Sequence, residues 1–157
     1  MSDLCALPPP VSPLRIVLDT NVVLDWLVFD DPLARGWSQA IVTGMVEWVV
    51  TDSIYAEWQR VLEYDAVRRR SPGPSALEAW HRHARRCHEP PRCVLRCADP
   101  DDQVFIDLAV AEGARWLLTK DRALLALARP AARLAVQVGP PAAWSMGAGL
   151  QPAWAAS

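Results

Sequence analysis

The sequence predicts an α/β fold, a mostly parallel central sheet covered by helices on both faces as a three-layer α/β/α sandwich. Three observations carry that expectation. Short apolar runs alternate with helix-like segments from Arg15 to Val138. The runs are largely apolar, as strands buried on both faces are. Turn or cap residues separate most of them.

Arg15-Ile16-Val17-Leu18 reads as the first buried strand, ended by the turn residues Asp19-Thr20-Asn21. Val22 to Phe29 is apolar enough for a short helix. Pro32 suits the first turn of the next helix, with Trp37, Ala40 and Ile41 at helical spacing and Gly44 as its stop. Val46 to Val50 is a second strand. Thr51-Asp52-Ser53 then caps a helix whose apolar face is Ile54, Trp58, Val61 and Leu62. Ser71-Pro72-Gly73-Pro74 breaks the chain, and Ala76 to Cys87 reads as a basic helix. Asp99-Pro100 starts another helix, with Val104, Phe105, Leu108 and Ala109 as its stripe and Gly113 as its end. Trp116 to Thr119 is a strand, Asp121 to Ala128 a short helix with Pro130 beyond it, and Leu134 to Val138 a last strand. No internal repeat interrupts this order.

A length of 157 residues suits one domain, expected over 14–139, with a proline-rich tail over 1–13 and a second tail over 140–157. With 52% hydrophobic and 22% charged residues the composition is neither disordered nor membrane-spanning. The start, MSDLCALPPPVSP, lacks a basic leader and an apolar stretch, and four cysteines without an export signal point to a reducing, cytoplasmic setting.

The net charge of -2 is unevenly spread. Between Arg60 and Arg96 nine arginines face four acids, and all three histidines lie in that span. Asp99, Asp101, Asp102 and Asp107 fall within nine residues. A basic middle beside an acidic cluster fits a polyanion plus metal ions, and equally fits solvated helix faces.

Ligands of open parallel sheets bind outside the carboxyl ends of the strands. Asp19 and Asp121 closely follow predicted strands, Glu57 lies early in a helix that leaves the same edge, and Asp99, Asp101 and Asp102 open another helix. Crowded carboxylates raise one another's pKa unless a cation intervenes, and hard oxygen ligands suit Mg²⁺ or Mn²⁺. Each acid has a plainer role too: Asp19 in a turn, Glu57 on a solvated face, Asp99 and Asp121 as caps, Asp101 and Asp102 against a helix dipole. The functional reading rests on convergence.

In order and spacing, "IVLDTNVVL" (16–24), "SIYAEWQRVL" (53–62), "ADPDDQVFIDLAVAEGARWLLTKD" (98–121) and "RALL" (122–125) resemble the PIN-domain family, most closely its branch of toxin components of toxin–antitoxin pairs. The resemblance implies a Mg²⁺/Mn²⁺-dependent endoribonuclease acting on single-stranded RNA. On it, Asp19, Glu57, Asp102 and Asp121 are the catalytic and metal-holding acids. Thr20 and Asn21 complete the Asp-Thr-Asn motif, and Asp99 and Thr119 support it. It also implies a homodimer and a small antitoxin partner. Two positions depart from the family pattern. Lys120 stands where glycine is frequent and is a candidate phosphate contact. Ala123 stands where many members carry a further acid, which leaves one metal ion or two.

Other readings fit less well. Phosphatases with an aspartate nucleophile begin with Asp-x-Asp, and position 21 is Asn; receiver domains want paired acids, and Leu18 precedes a single Asp19. A catalytically weak module that binds RNA or protein is an alternative of another class. Cys93-x₃-Cys97 with His83, Cys87 and His88 is a weak zinc pattern. Arg68, Arg69 and Arg70 suit phosphate contacts or a solvated surface. Trp26, Trp58 and Trp116 suit core or interface, and Trp37, Trp48, Trp144 and Trp154 are candidates for dimer or antitoxin contacts.

Overall fold

The computed structural model describes residues 13–70 and 73–146. Among them one five-stranded sheet contains β1 (Leu14–Leu18), β2 (Val46–Val50), β3 (Ala84–Arg86), β4 (Trp116–Leu118) and β5 (Gln137–Gly139). The spatial order is β3-β2-β1-β4-β5, and every neighbouring pair is parallel. Helices α1 (Thr20–Leu27), α2 (Arg35–Val42), α3 (Asp52–Leu62), α4 (Asp65–Arg68) and α5 (Gly73–His83) carry the chain from β1 to β3. Then come α6 (Gln103–Ala111), α7 (Arg122–Leu125) and α8 (Ala128–Ala132). The chain moves outward from β1 in one direction through β2 and β3, then in the other through β4 and β5. The direction reverses between β1 and β4, and at such a switch point the loops leaving two adjacent strands part and open a crevice.

Largely apolar strands need cover on both faces. Ile16, Val17, Leu18, Val49, Val50, Leu117 and Leu118 are all within 2% of full burial, as expected of the middle layer of an α/β/α sandwich. Around Trp48 on β2 the cover is aromatic. Trp26 of α1 meets Trp37 of α2 and Trp48 edge-on at 5.5 Å each. Trp48 meets Trp80 of α5 at 4.6 Å, and Trp80 stacks on Trp58 of α3 at 5.6 Å. Two glycines end helices where the chain turns left-handed, Gly44 (φ 82°) after α2 and Gly113 (φ 59°) after α6.

The structure departs from the expected elements in four places. Residues 84–86 are an edge strand rather than the end of a helix, paired Trp48↔Ala84, Val49↔Arg85 and Val50↔Arg86. Three residues are too few to show a strand period. Their charges are met by acids across the edge, Arg85 by Glu47 (2.9 Å) and Arg86 by Asp52 (3.1 Å). Pro130 lies inside α8, within whose first turns no amide proton is needed, and α7 and α8 replace the single helix expected there. The last strand starts only at Gln137, because Ala135 takes a left-handed turn (φ 63°). Residues 141–143 form a 3₁₀ turn, and Trp144 packs edge-on against Trp116 at 5.5 Å, so this stretch is part of the body and not a tail.

Trp37 and Trp48, 1% and 0% exposed, are core residues and not surface for a partner. The break at Ser71-Pro72, most of the expected tails and Trp154 lie outside the described residues.

Trp80 is the residue through which two helices grip β2. Trp80→Ala should cost about 3–5 kcal/mol, the usual range for emptying a large aromatic site, read as a lower urea midpoint at unchanged slope.

Candidate metal centre

Asp19 ends β1 and caps α1. Its Oδ1 accepts the N–H of Asn21 (2.7 Å) and of Val22 (3.3 Å), which is why Asp-Thr-Asn turns strand into helix here. The side chain is buried, at 4% exposure, and its Oδ2 accepts the Thr119 hydroxyl at 2.5 Å. The Thr119 oxygen in turn accepts the N–H of Asp121 (3.0 Å). Asp121 caps α7 by accepting the N–H of Ala123 (2.7 Å). Asp99 caps a 3₁₀ turn over Pro100–Asp102 through the N–H of Asp101 (3.0 Å), and Asp102 leads directly into α6. Every acid that caps here also stands at the carboxyl edge of the sheet, so capping and clustering are one arrangement.

Carboxylate oxygens of Asp99, Asp102 and Asp121 lie within 4.8 Å of one another. Burial, then the charges of Asp121 and Asp99, push the Asp102 carboxyl up to about 7. Burial likewise raises Asp19, against the pull of its three hydrogen bonds, and the charge of Asp121 adds to the rise. Asp19 stands close enough for its charge to bear on Asp102 as well. The donor set is all hard oxygen, and its members repel one another, which is the chemistry that a Mg²⁺ or Mn²⁺ ion relieves.

The other expected site residues are placed as follows. Glu57, half-buried on α3, accepts the Thr20 hydroxyl at 3.0 Å and lies outside the tight group of three. Asn21 is exposed and serves through its backbone. Lys120 turns to Asp25, with Nζ 2.6 Å from Oδ2. Arg68, Arg69 and Arg70 are exposed at the end of α4, and the Arg70 guanidinium lies 5.3 Å over the Phe29 ring. Asp101, exposed, is not in the group. Cys87, Cys93 and Cys97 are free thiols, and no His/Cys group converges among the described residues. Burial, together with a hydrogen bond to Glu112, pushes Cys87 up to about 11, which makes it a poor ligand and nucleophile.

Asp107 and Gln103 hold a different part of the site. Asp107, 7% exposed, accepts the N–H of Cys93 (2.9 Å) and of the Gln103 amide (2.8 Å). Gln103 also donates to the Leu95 carbonyl (2.8 Å) and accepts from the Cys97 N–H (2.7 Å). These two side chains fasten the irregular segment 87–98 to α6 and so fix where Asp99 arrives. Position i, i+4 on one helix was the only signal in the sequence, and nothing in it names their loop partners.

The PIN-domain family model matches residues 15–123. Among solved structures, one chain of VapBC2 from Rickettsia felis, crystallised bound to a DNA fragment from their promoter, is similar to this one. The identity is 13%, the match covers 80% of this chain and 98% of that one, and the TM-score is 0.55. At that identity the likeness is one of fold. No curated protein sequence matches the chain.

The crowding has a pH signature. Asp102 holds its proton up to about 7 in the folded chain, against 3.8 for an ordinary aspartate. Between those values the folded state binds the extra proton. The stability this group lends is therefore present on the acid side and lost as pH rises toward 7. In EDTA, Asp102→Asn should stabilise the protein relative to wild type more at pH 8 than at pH 5, read from urea midpoints. An equal effect at both pH values would mean that Asp102 is not held in its neutral form.

Proposed function

The chain belongs to the PIN-domain family, and from that premise we propose that it is a Mg²⁺- or Mn²⁺-dependent endoribonuclease that cleaves single-stranded RNA, the toxin of a toxin–antitoxin pair working as a homodimer in the cytoplasm. The observation that carries the reading is the convergence of Asp99, Asp102 and Asp121 within 4.8 Å beside a buried, hydrogen-bonded Asp19. The donors are carboxylates alone, with the Asp102 proton held at about 7, so this set fits a hard divalent cation.

Asp19, Asp102 and Asp121 would hold the ion, with Glu57 reaching it directly or through water. Asp99, which the sequence supports only as a cap, is close enough to join them. When bound, such an ion lowers the pKa of a water and orients it in line with a phosphodiester while stabilising the oxygen that leaves. Asp102 must surrender its proton on ion binding, so affinity for the ion falls below about pH 7. Thr119 and the first amides of α1 keep Asp19 aimed without help from solvent. Thr20 steadies Glu57 in the same way. Arg68, Arg69 and Arg70 would contact phosphates away from the scissile bond, where arginine pairs well. Lys120, engaged by Asp25, is left out of that set.

The direct test is cleavage of single-stranded RNA with Mg²⁺, with Mn²⁺ and with EDTA. Cutting is expected with the metals and absent in EDTA, and Asp19→Asn should abolish it while the circular dichroism spectrum stays unchanged. Full activity in that variant would sink the assignment.

Metal should also raise the thermal midpoint of the wild type, by about 2.7 kcal/mol of stability at a hundredfold excess over its dissociation constant. Asp102→Asn should shrink this shift strongly and Asp101→Asn hardly at all. Equal shifts in the two variants would place the ion elsewhere.

A further inference from the structure

Beside the acidic rim lies a cavity of about 140 Å³ that the chemistry above does not use. Leu33, Trp37, Pro140 and Pro141 form apolar walls, and Asp25 and Lys120 are polar groups of its lining. Lys120, which lines the cavity, directly precedes Asp121 of the rim in the chain. We propose that this cavity receives one nucleobase of a single-stranded RNA whose phosphate lies at the acidic rim. The identity of the polymer rests on the nuclease reading above.

The chemistry of the lining selects the occupant. Single-stranded RNA is recognised by splaying a base out, packing its flat faces and hydrogen-bonding its edge. Proline rings and a leucine offer such packing. The Asp25 carboxylate accepts a base amino or imino hydrogen, and the Lys120 ammonium donates to a base carbonyl or ring nitrogen. A phosphate is a poor occupant, because Asp25 at 2.6 Å cancels the charge of Lys120 and repels an anion. A purely aliphatic side chain would leave that ion pair covered and without polar company. Asp31, the other acid in the lining, already caps the turn at Leu33 (3.0 Å) and is spoken for. A pocket with apolar walls and a few convergent polar groups is the usual form of a site for a small flat ligand.

The experiment uses the full chain in EDTA, where no cleavage occurs, and a fluorescent five-nucleotide RNA with an abasic residue at each position in turn. One abasic position should weaken binding at least about tenfold and its neighbours much less, the size expected when a stacked base is lost. Leu33→Asp should erase that penalty, and the change is safe for the fold because Leu33 is 64% exposed. Asp25→Asn should keep the penalty and change which base is preferred. No binding, a flat scan, or a penalty that survives Leu33→Asp overturns the proposal. So does a flat scan accompanied by loss of a co-purifying protein from Leu33→Asp, which would assign the cavity to that protein. Cleavage of RNA with Mn²⁺ alongside a flat scan removes the pocket and leaves the nuclease. A positional penalty in a chain that cuts RNA with neither metal removes the nuclease and leaves the pocket.

Discussion

The Thr119 hydroxyl donates a hydrogen bond to Asp19 and accepts one from the Asp121 N–H on the same oxygen. One buried oxygen therefore joins the ends of β1 and β4, the two strands between which the sheet reverses direction. The backbone repeats the link, because the Asp19 N–H donates to the Leu118 carbonyl at 3.1 Å. Two acids from distant parts of the chain are thereby held in one frame before any ligand arrives. A hydroxyl can do this because it donates and accepts at once, whereas a valine of the same shape would leave Asp19 and the Asp121 amide without their partner.

That frame concentrates negative charge at the edge where α1 and α7 begin. The helix ends offset part of the repulsion, since their free amides point at Asp19 and Asp121 and their dipoles favour anions. Burial first, and then the charges of Asp121 and Asp99, still push the Asp102 carboxyl up to about 7. The metal-free fold and a cation-holding site thus pull in opposite directions.

The sequence made the middle of the sheet legible and lost its margins. β1 and β2 were readable because three apolar residues in a row, Ile16-Val17-Leu18 and Trp48-Val49-Val50, run into a cap, and Asp19, Thr51, Asp99 and Asp121 all cap as their types suggest. β3 was hidden because its three residues continue the basic pattern of α5 and owe their strand conformation to β2 and to Glu47 and Asp52. The split of α7 from α8 was hidden for a related reason, as proline is tolerated in a first helical turn and leaves no mark of its own. At the rim, the motif resemblance singled out acids, and nothing in the spacing gave their distances. Asp99 looked like a cap, is a cap, and is also a neighbour of Asp102. Glu57 is tied to Thr20 rather than packed into the tight group, a difference set by the packing of α1 on α3 and not by either local sequence. The loop anchors Gln103 and Asp107 could not be read at all, because their partners are backbone groups of an irregular segment.

The aromatic chain from Trp37 through Trp26, Trp48 and Trp80 to Trp58 has a consequence for how this protein opens. Each ring touches the next, and the five belong to α2, α1, β2, α5 and α3 in turn. To lift any one of these helices is to strip two rings of their neighbours, so the elements have no inexpensive way to detach singly. They are therefore expected to open together, with the amide hydrogens of all of them exchanging through one shared event. Asp99 and Asp102 arrive at the end of segment 87–98, which Gln103 and Asp107 pin in place, whereas Asp121 follows β4. None of the five rings lies in that segment, so Asp99 and Asp102 are positioned by polar anchors where the other arm of the sheet is held by aromatic rings.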